Sequence, residues 1–309
     1  MSEFFGVPGS GSWVSCEPLN KGWSSDKKYR IETESGAELL LRLADIEAFD
    51  EKKREFEFVK LCSKTGIRMS MPVGFGVCGG GKQVYTLLTW VAGEDLEEAL
   101  PRLCAVEQYR LGLCAGSMLK RIHSIPLRAG DIPKETKKPK KLRQLSDYER
   151  SSVRVPGDGP VISFVRGNID RIWLEKPVYL HGDFHPGNLI FSAEGIGVID
   201  FNRRETGDPY EEFYKLESFG RETSVPYACG QIDAYFEGDV PEAFWRALAV
   251  YSAHASLYSV KWAEKFGQKE IDGMVKRYVT AMDDFEGFTR IVPKWYSPGP
   301  RSLIDKIHI

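Results

Sequence analysis

The sequence has no CxxC pair. Its six cysteines (Cys16, Cys62, Cys78, Cys104, Cys114, Cys229) are scattered, and its five histidines form no ligand-spaced cluster. That spacing argues against a zinc site and against a disulfide framework, and suits reduced thiols in a cytoplasmic protein. No apolar run reaches the roughly 18 residues needed to cross a bilayer, and the first residues lack the basic-then-apolar layout of a secretory leader. An excess of either charge is also missing. With 42 Lys and Arg against 44 Asp and Glu, the net charge of −2 offers no overall field to attract nucleic acid or an anionic membrane. Internal repeats and low-complexity tracts are absent as well. What is present is the ordinary balance of a globular enzyme, 42 % hydrophobic and 28 % charged, and 309 residues give room for two lobes.

The first ninety residues alternate short apolar runs with turns. Ser12 to Pro18, Lys28 to Thr33 and Glu38 to Leu43 read as strands, joined by the small, polar stretch Asn20 to Asp26 and by Glu34-Ser35-Gly36. A helix follows over about Asp45 to Thr65, with Phe49, Phe56, Val59 and Leu61 on one side and Gly66 as its C-terminal cap. Val73 to Gly76 and Gln83 to Trp90 supply two more strands across Gly79-Gly80-Gly81. Past Gly93 the chain turns helical: Glu94 to Leu100, then Ala105 to His123, with Tyr109, Leu113, Gly116 and Lys120 at helical spacing. The basic, proline-interrupted run from Lys134 to Arg150 reads as solvated loop. Phe244, Leu248, Tyr251, Ala255, Tyr258 and Trp262 form a later helical stripe that reads as core. The tail from Ser297 reads as irregular.

One segment carries chemistry. Val178-Tyr179-Leu180 leads into His181-Gly182-Asp183-Phe184-His185-Pro186-Gly187-Asn188, and a second apolar turn ends at Gly197-Val198-Ile199-Asp200-Phe201. Phosphoryl transfer needs little covalent help but much positioning and charge neutralisation. One carboxylate must accept the proton of the attacking hydroxyl, while a carboxylate and an amide oxygen can hold magnesium, which takes hard oxygen ligands together with phosphates. Asp183, Asp200 and Asn188 supply those three parts.

The pattern His-Gly-Asp-x4-Asn, then Ile-Asp, then Gly207-Asp208-Pro209 resembles the signature of the aminoglycoside phosphotransferase family of protein-kinase-like small-molecule kinases. The resemblance runs over nearly the whole chain. It implies an α+β, two-lobed fold, with an N-terminal nucleotide-binding lobe over residues 1–91, a hinge at about 89–93 and a helical catalytic lobe over 92–309. It makes Asp183 the catalytic base, assigns Mg2+ to Asn188 and Asp200, and has His181 brace the loop. It also implies ATP or GTP as donor. Gly22 to Asp26 stands where kinases cover the phosphates, so Ser24 and Ser25 would contact the nucleotide. The phosphate-holding lysine is replaced by Arg42, a planar fork in place of a compact ammonium. Its expected ion-pair partner is Glu55, with Glu57 on another helix face a lesser choice. The Thr89 carbonyl and Val91 amide would meet the adenine edge, while Trp90 suits packing as well as ligand contact.

The acceptor is less specified. Between Glu205 and Glu242 stand eight further acids against only Lys215 and Arg221, an excess that suits a cationic or polyhydroxyl small molecule, with Glu211 and Glu212 the nearest candidate contacts. An aminoglycoside-like antibiotic is the favoured acceptor. Alternatives are an amino alcohol, a sugar derivative or a macrolide, or a catalytically silent nucleotide-binding relative. Oligomeric state has no signature here.

Overall fold

The computed structural model describes residues 4–20 and 26–300. The chain forms two compact units, residues 1–94 with Ile190–Arg204, and Asp95–Leu189 with 205–309.

The first unit is built on a five-stranded antiparallel sheet. Its strands are β1 (Trp13–Leu19), β2 (Lys27–Thr33), β3 (Glu38–Asp45), β4 (Pro72–Cys78) and β5 (Gln83–Thr89), in the order β1-β2-β3-β5-β4. Successive side chains on a strand point to opposite faces. Leu39, Leu41 and Leu43 therefore join Ile31, Tyr85 and Leu87 in an apolar core, which puts Arg42 on the other face. Lys28 and Thr86 flank Arg42 there, because they are its partners across the ladder. Helix α1 (Phe49–Cys62) connects β3 to β4. It buries Glu55, Phe58, Val59 and Cys62, while Phe49 and Phe56 pack on the Phe75 ring. Phe58 thus takes the place expected of Leu61, one step round the helix. Gly66 closes the following turn in the left-handed conformation.

A hairpin of Leu189–Ser192 and Gly195–Val198 carries the rest of this unit. Its second strand is stitched to residues 68–70 by Val198 N–H donating to the Arg68 carbonyl at 2.9 Å and Ser70 N–H donating to the Val198 carbonyl at 3.3 Å. Phe201 then packs edge-on against Phe58. This return of residues 190–204 is where the observed division departs from a single cut near residue 91. A cut placed by a change in composition follows the chain, whereas these contacts join segments more than a hundred residues apart.

The second unit is mainly helical: α2 (Ala105–His123), α3 (Lys138–Glu149), α4 (Gly159–Asn168), α5 (Val225–Tyr235), α6 (Glu242–Ala263) and α7 (Gln268–Asp284). A two-stranded ladder pairs β6 (Val178–Leu180) with β7 (Glu205–Gly207). Helices α2 and α5 lie unusually close. A Cβ at Gly116 would stand 2.2 Å from the Gln231 carbonyl oxygen, and one at Gly230 would stand 2.3 Å from that of Tyr109.

The basic run expected as loop contains α3. Pro139 sits in its first turn, where the missing N–H costs nothing. Leu145 and Tyr148 are buried on one side, and Lys141 forms an ion pair with buried Glu211 at 2.7 Å. A count of charges along the chain hides that pairing.

The segment after α7 is irregular but tied down. Trp295 Nε1 donates to Glu217 Oε2 at 2.8 Å, and the Tyr296 hydroxyl donates to Asp233 Oδ1 at 2.7 Å. Burial raises the Glu217 carboxyl well above its ordinary value, and the neighbouring Asp284 carboxylate raises it further. An acid raised in this way stabilises the fold fully below its unfolded value near 4.5, and the contribution is lost as pH rises through the folded value. Glu217→Gln keeps an acceptor for Trp295 and can donate to Asp284 without ionising. The gain in melting temperature over wild type is therefore expected to grow from pH 5 to pH 9. A difference that stays flat or shrinks over that range, in scans at each pH, would contradict the raised Glu217 carboxyl.

Candidate functional site

In the second unit the loop after β6 turns at Gly182, whose φ of 82° lies in the left-handed region that glycine adopts without strain. The turn brings Asp183 and Asn188 onto one rigid segment. Asn188 Nδ2 donates to the Asp183 carbonyl at 2.8 Å, and Asn188 N–H donates to the His185 carbonyl at 2.9 Å. Gly182 N–H and Phe184 N–H both donate to the Glu212 carboxylate, at 3.1 and 3.2 Å. Glu212 is fully enclosed. Burial alone would raise its carboxyl, but His123, His181 and the Gly182 amide outweigh that and hold it below its ordinary value. His181 is buried, and its Nδ1 accepts from Asp183 N–H at 3.3 Å, so it braces the loop as expected.

The Asp183 carboxylate faces a cation that the sequence marks only as a counter-charge in the acidic run. Lys215 Nζ lies 2.7 Å from Asp183 Oδ1 and is itself largely buried, between the rings of Tyr214 and Phe219. His185 Nε2 is 3.7 Å from the same oxygen, and its ring stacks on Phe219.

Glu211 and Glu212 are both buried and engaged within this unit. Lys141 and Lys137 meet Glu211 at 2.7 and 3.1 Å. Burial would raise its carboxyl, yet those two ammonium groups hold it at about 2. Asp208 accepts from Trp173 N–H, Tyr210 N–H and the Tyr251 hydroxyl, so the Gly-Asp-Pro carboxylate is a structural hub. Of the eight acids between Glu205 and Glu242, Asp208, Glu211, Glu212, Glu217 and Asp233 are buried. Glu222 and Glu237 pair with Arg277 and Lys120. The acidic excess read from the sequence is therefore spent largely on internal contacts, and it does not by itself make an acidic surface.

In the first unit Arg42 gathers three carboxylates. Its Nη1 is 3.1 Å from Glu55 Oε1 and 3.2 Å from Asp200 Oδ1, and its Nη2 donates to Asp26 Oδ2 at 2.7 Å. Arg42 and Glu55 thus meet as expected, while Glu57 pairs with Lys60 at the surface. Burial would lower the Arg42 guanidinium, but Glu55, Asp200 and Asp26 outweigh it and raise it. Asp200 has φ 61° and ψ 64°, a left-handed conformation that aspartate tolerates better than most residues but that still costs energy. Lys52 joins this network and was missed. It donates to Asp26 Oδ2 at 2.7 Å and to Glu55 Oε2 at 3.3 Å.

Thr89 ends β5, with its N–H and hydroxyl oxygen both bonded to Met71. Val91 is buried just beyond it. Trp90 packs under the Arg30 guanidinium and its N–H donates to the Glu38 carbonyl, which gives it a packing role. Ser24 and Ser25 lie outside the described residues. Among the described residues no group of three or more His, Cys, Asp or Glu could hold a metal alone, and no helix is long and apolar enough to cross a membrane.

A β-sheet unit carrying a buried Arg–Glu pair, followed by a helical unit carrying the Asp–Asn loop, is the architecture of a kinase-like phosphotransferase. The family model for the phosphotransferase enzyme family matches residues 15–249, and the chain belongs to that family. Solved structures agree at the level of the fold. An aminoglycoside 2'-phosphotransferase-IIIa in complex with GDP superposes with a TM-score of 0.67 at 16 % identity, over 87 % of this chain and 93 % of that one. An amicoumacin kinase in complex with AMP-PNP, Ca2+ and Ami gives 0.65 at 13 % identity, over 91 % and 90 %. A choline/ethanolamine kinase family protein from Mesorhizobium loti gives 0.66 at 16 % identity, over 91 % and 92 %. No curated protein matches the sequence.

Proposed function

We propose that the chain transfers the terminal phosphate of ATP or GTP to a hydroxyl of a small cationic or polyhydroxyl molecule, an aminoglycoside-like antibiotic being the favoured acceptor. The observation that carries this reading is the loop holding Asp183 and Asn188 together, clamped through its amides by buried Glu212. Asp183 would accept the proton as the acceptor oxygen bonds to the γ-phosphorus and the bond to the β-phosphate oxygen breaks, releasing the nucleoside diphosphate. Lys215 balances the charge on that carboxylate.

Asn188 and Asp200 would hold Mg2+. The donor types fit: the Asn188 amide nitrogen is taken by the Asp183 carbonyl, which leaves its hard amide oxygen as the donor, and Asp200 supplies a carboxylate. Two protein oxygens are enough for an ion that keeps waters and phosphate oxygens as its other ligands. When bound, the ion would neutralise charge on the phosphates. Arg42, with Glu55 fixing its fork, would face the donor phosphates. Thr89 and Val91 would meet the adenine edge, and Ser24 and Ser25 the phosphates. Given their burial, Glu212 is better assigned to bracing the loop, and Glu211 to pairing with Lys137 and Lys141, than either is to touching the acceptor.

An amino alcohol is the second reading, favoured by the likeness to the choline/ethanolamine kinase family protein. A catalytically silent relative is disfavoured by intact Asp183, Asn188 and Asp200. Nucleotide consumption across cationic sugars, macrolides and amino alcohols tests the proposal, with turnover expected in one class. For a polycationic acceptor, added salt should raise KM more than it changes kcat, because screening weakens attraction beyond about 8–10 Å. A KM indifferent to salt would point to a neutral acceptor.

A further inference from the structure

Two cations converge on one carboxylate oxygen in the first unit. Arg42 reaches Asp26 Oδ2 through Nε at 3.0 Å and Nη2 at 2.7 Å, and Lys52 Nζ reaches the same oxygen at 2.7 Å. The side chains of Asp26, Arg42 and Lys52 are 4, 5 and 11 % exposed. Each comes from a different place: Asp26 from the residue before β2, Arg42 from the middle of β3, and Lys52 from the first turn of α1. A buried ion cluster is a weak source of stability, since desolvation offsets much of the attraction. The Arg42–Glu55 pair would be complete without Lys52, and Lys52 already has Glu55 without Asp26. Two donors that share a single anionic oxygen form the kind of site that a phosphate oxygen also satisfies, because charged donors in a fork suit phosphate as well as carboxylate.

We propose that Asp26 is a resident stand-in for a donor phosphate and that Lys52 is a second donor-phosphate ligand beside Arg42. The carboxylate keeps the two cations gathered on one oxygen, and nucleotide binding exchanges it for a phosphate oxygen. This rests on the phosphotransferase reading, and it adds a competitor and a ligand which that reading lacks. Removing the competitor should tighten binding, and removing the ligand should weaken it.

Titration calorimetry of ATP and GTP with magnesium, on wild type, Asp26→Asn, Lys52→Met and Lys52→Arg, tests it. A hydrogen bond to a charged group is worth roughly a tenfold change in affinity or more. Asp26→Asn is therefore expected to lower Kd about tenfold, Lys52→Met to raise it about tenfold, and Lys52→Arg to recover part of the loss. Inorganic tripolyphosphate, used as a second probe, should raise the melting temperature of Asp26→Asn more than that of wild type. Weaker or unchanged binding in Asp26→Asn, or unchanged binding in Lys52→Met, overturns the inference while leaving the phosphotransferase reading standing. Should Asp26→Asn fail to fold, the Lys52 pair decides alone. Wild type that binds neither nucleotide overturns both.

Discussion

Asp183→Asn is expected to lower kcat by about 10²–10⁴, the usual worth of general-base assistance, with little change in nucleotide affinity. Asparagine keeps the size of the side chain and its place in the loop, and the clamp on that loop runs through the amides of Gly182 and Phe184. What it removes is the charge that takes the hydroxyl proton and faces Lys215 at 2.7 Å. The competing candidate for the base is His185. Its Nδ1 already accepts from Gly187 N–H at 3.2 Å, its Nε2 lies 3.7 Å from Asp183, and its ring is stacked on Phe219. His185→Ala is therefore expected to cost less than Asp183→Asn, through loosening of the loop. Steady-state kinetics of the two variants decide the ranking, and near-normal kcat in Asp183→Asn removes the assignment.

The second large effect is at Asp200. Asp200→Ala is expected to reduce turnover by at least about 10³ and to abolish the magnesium-dependent part of nucleotide binding, because the ion's carboxylate ligand is gone. The backbone there is left-handed, a conformation that alanine tolerates less well than aspartate or asparagine. Asp200→Asn is the control that separates backbone strain from metal binding: it keeps the conformation and should still lose most of the metal dependence. The substitution also leaves Arg42 with Glu55 and Asp26 as partners, so the network is weakened but not dismantled. Calorimetry with and without magnesium reads this directly. Metal dependence unchanged in Asp200→Ala would take Asp200 out of the metal site.

Much of this site was legible because its parts are local. Asp183 and Asn188 lie five residues apart in one loop, and the turn between them is dictated by the residues themselves. The Arg42–Glu55 pair was legible through the family resemblance, which sets Arg42 at the phosphate-holding strand position and its partner on the following helix. What escaped the sequence was pairing at long range. Lys52 and Asp26 are 26 residues apart, and nothing in either neighbourhood marks them as partners. Lys137 and Glu211 are 74 apart, so a basic run that reads as solvated loop and an acidic run that reads as substrate cleft turn out to neutralise each other in the interior. Charge counts along a chain report composition, and burial decides what the charges do. The helix stripe beginning at Phe244 shows the other side of this. Phe244, Leu248, Tyr251 and Ala255 are buried as their spacing requires, because apolar periodicity and burial share one physical cause, while Tyr258 and Trp262, the last two residues of the stripe, are only half-buried.

Transfer itself is the central claim, and following the terminal phosphate tests it most directly. Wild-type protein would be incubated with magnesium, terminally labelled ATP or GTP and each acceptor class, and the products separated. The account predicts label in an ester at an acceptor hydroxyl, and at least about a hundredfold less with Asp183→Asn or Asp200→Ala over the same period. Label that stays on the nucleotide, or appears only as inorganic phosphate whatever acceptor is offered, would contradict it.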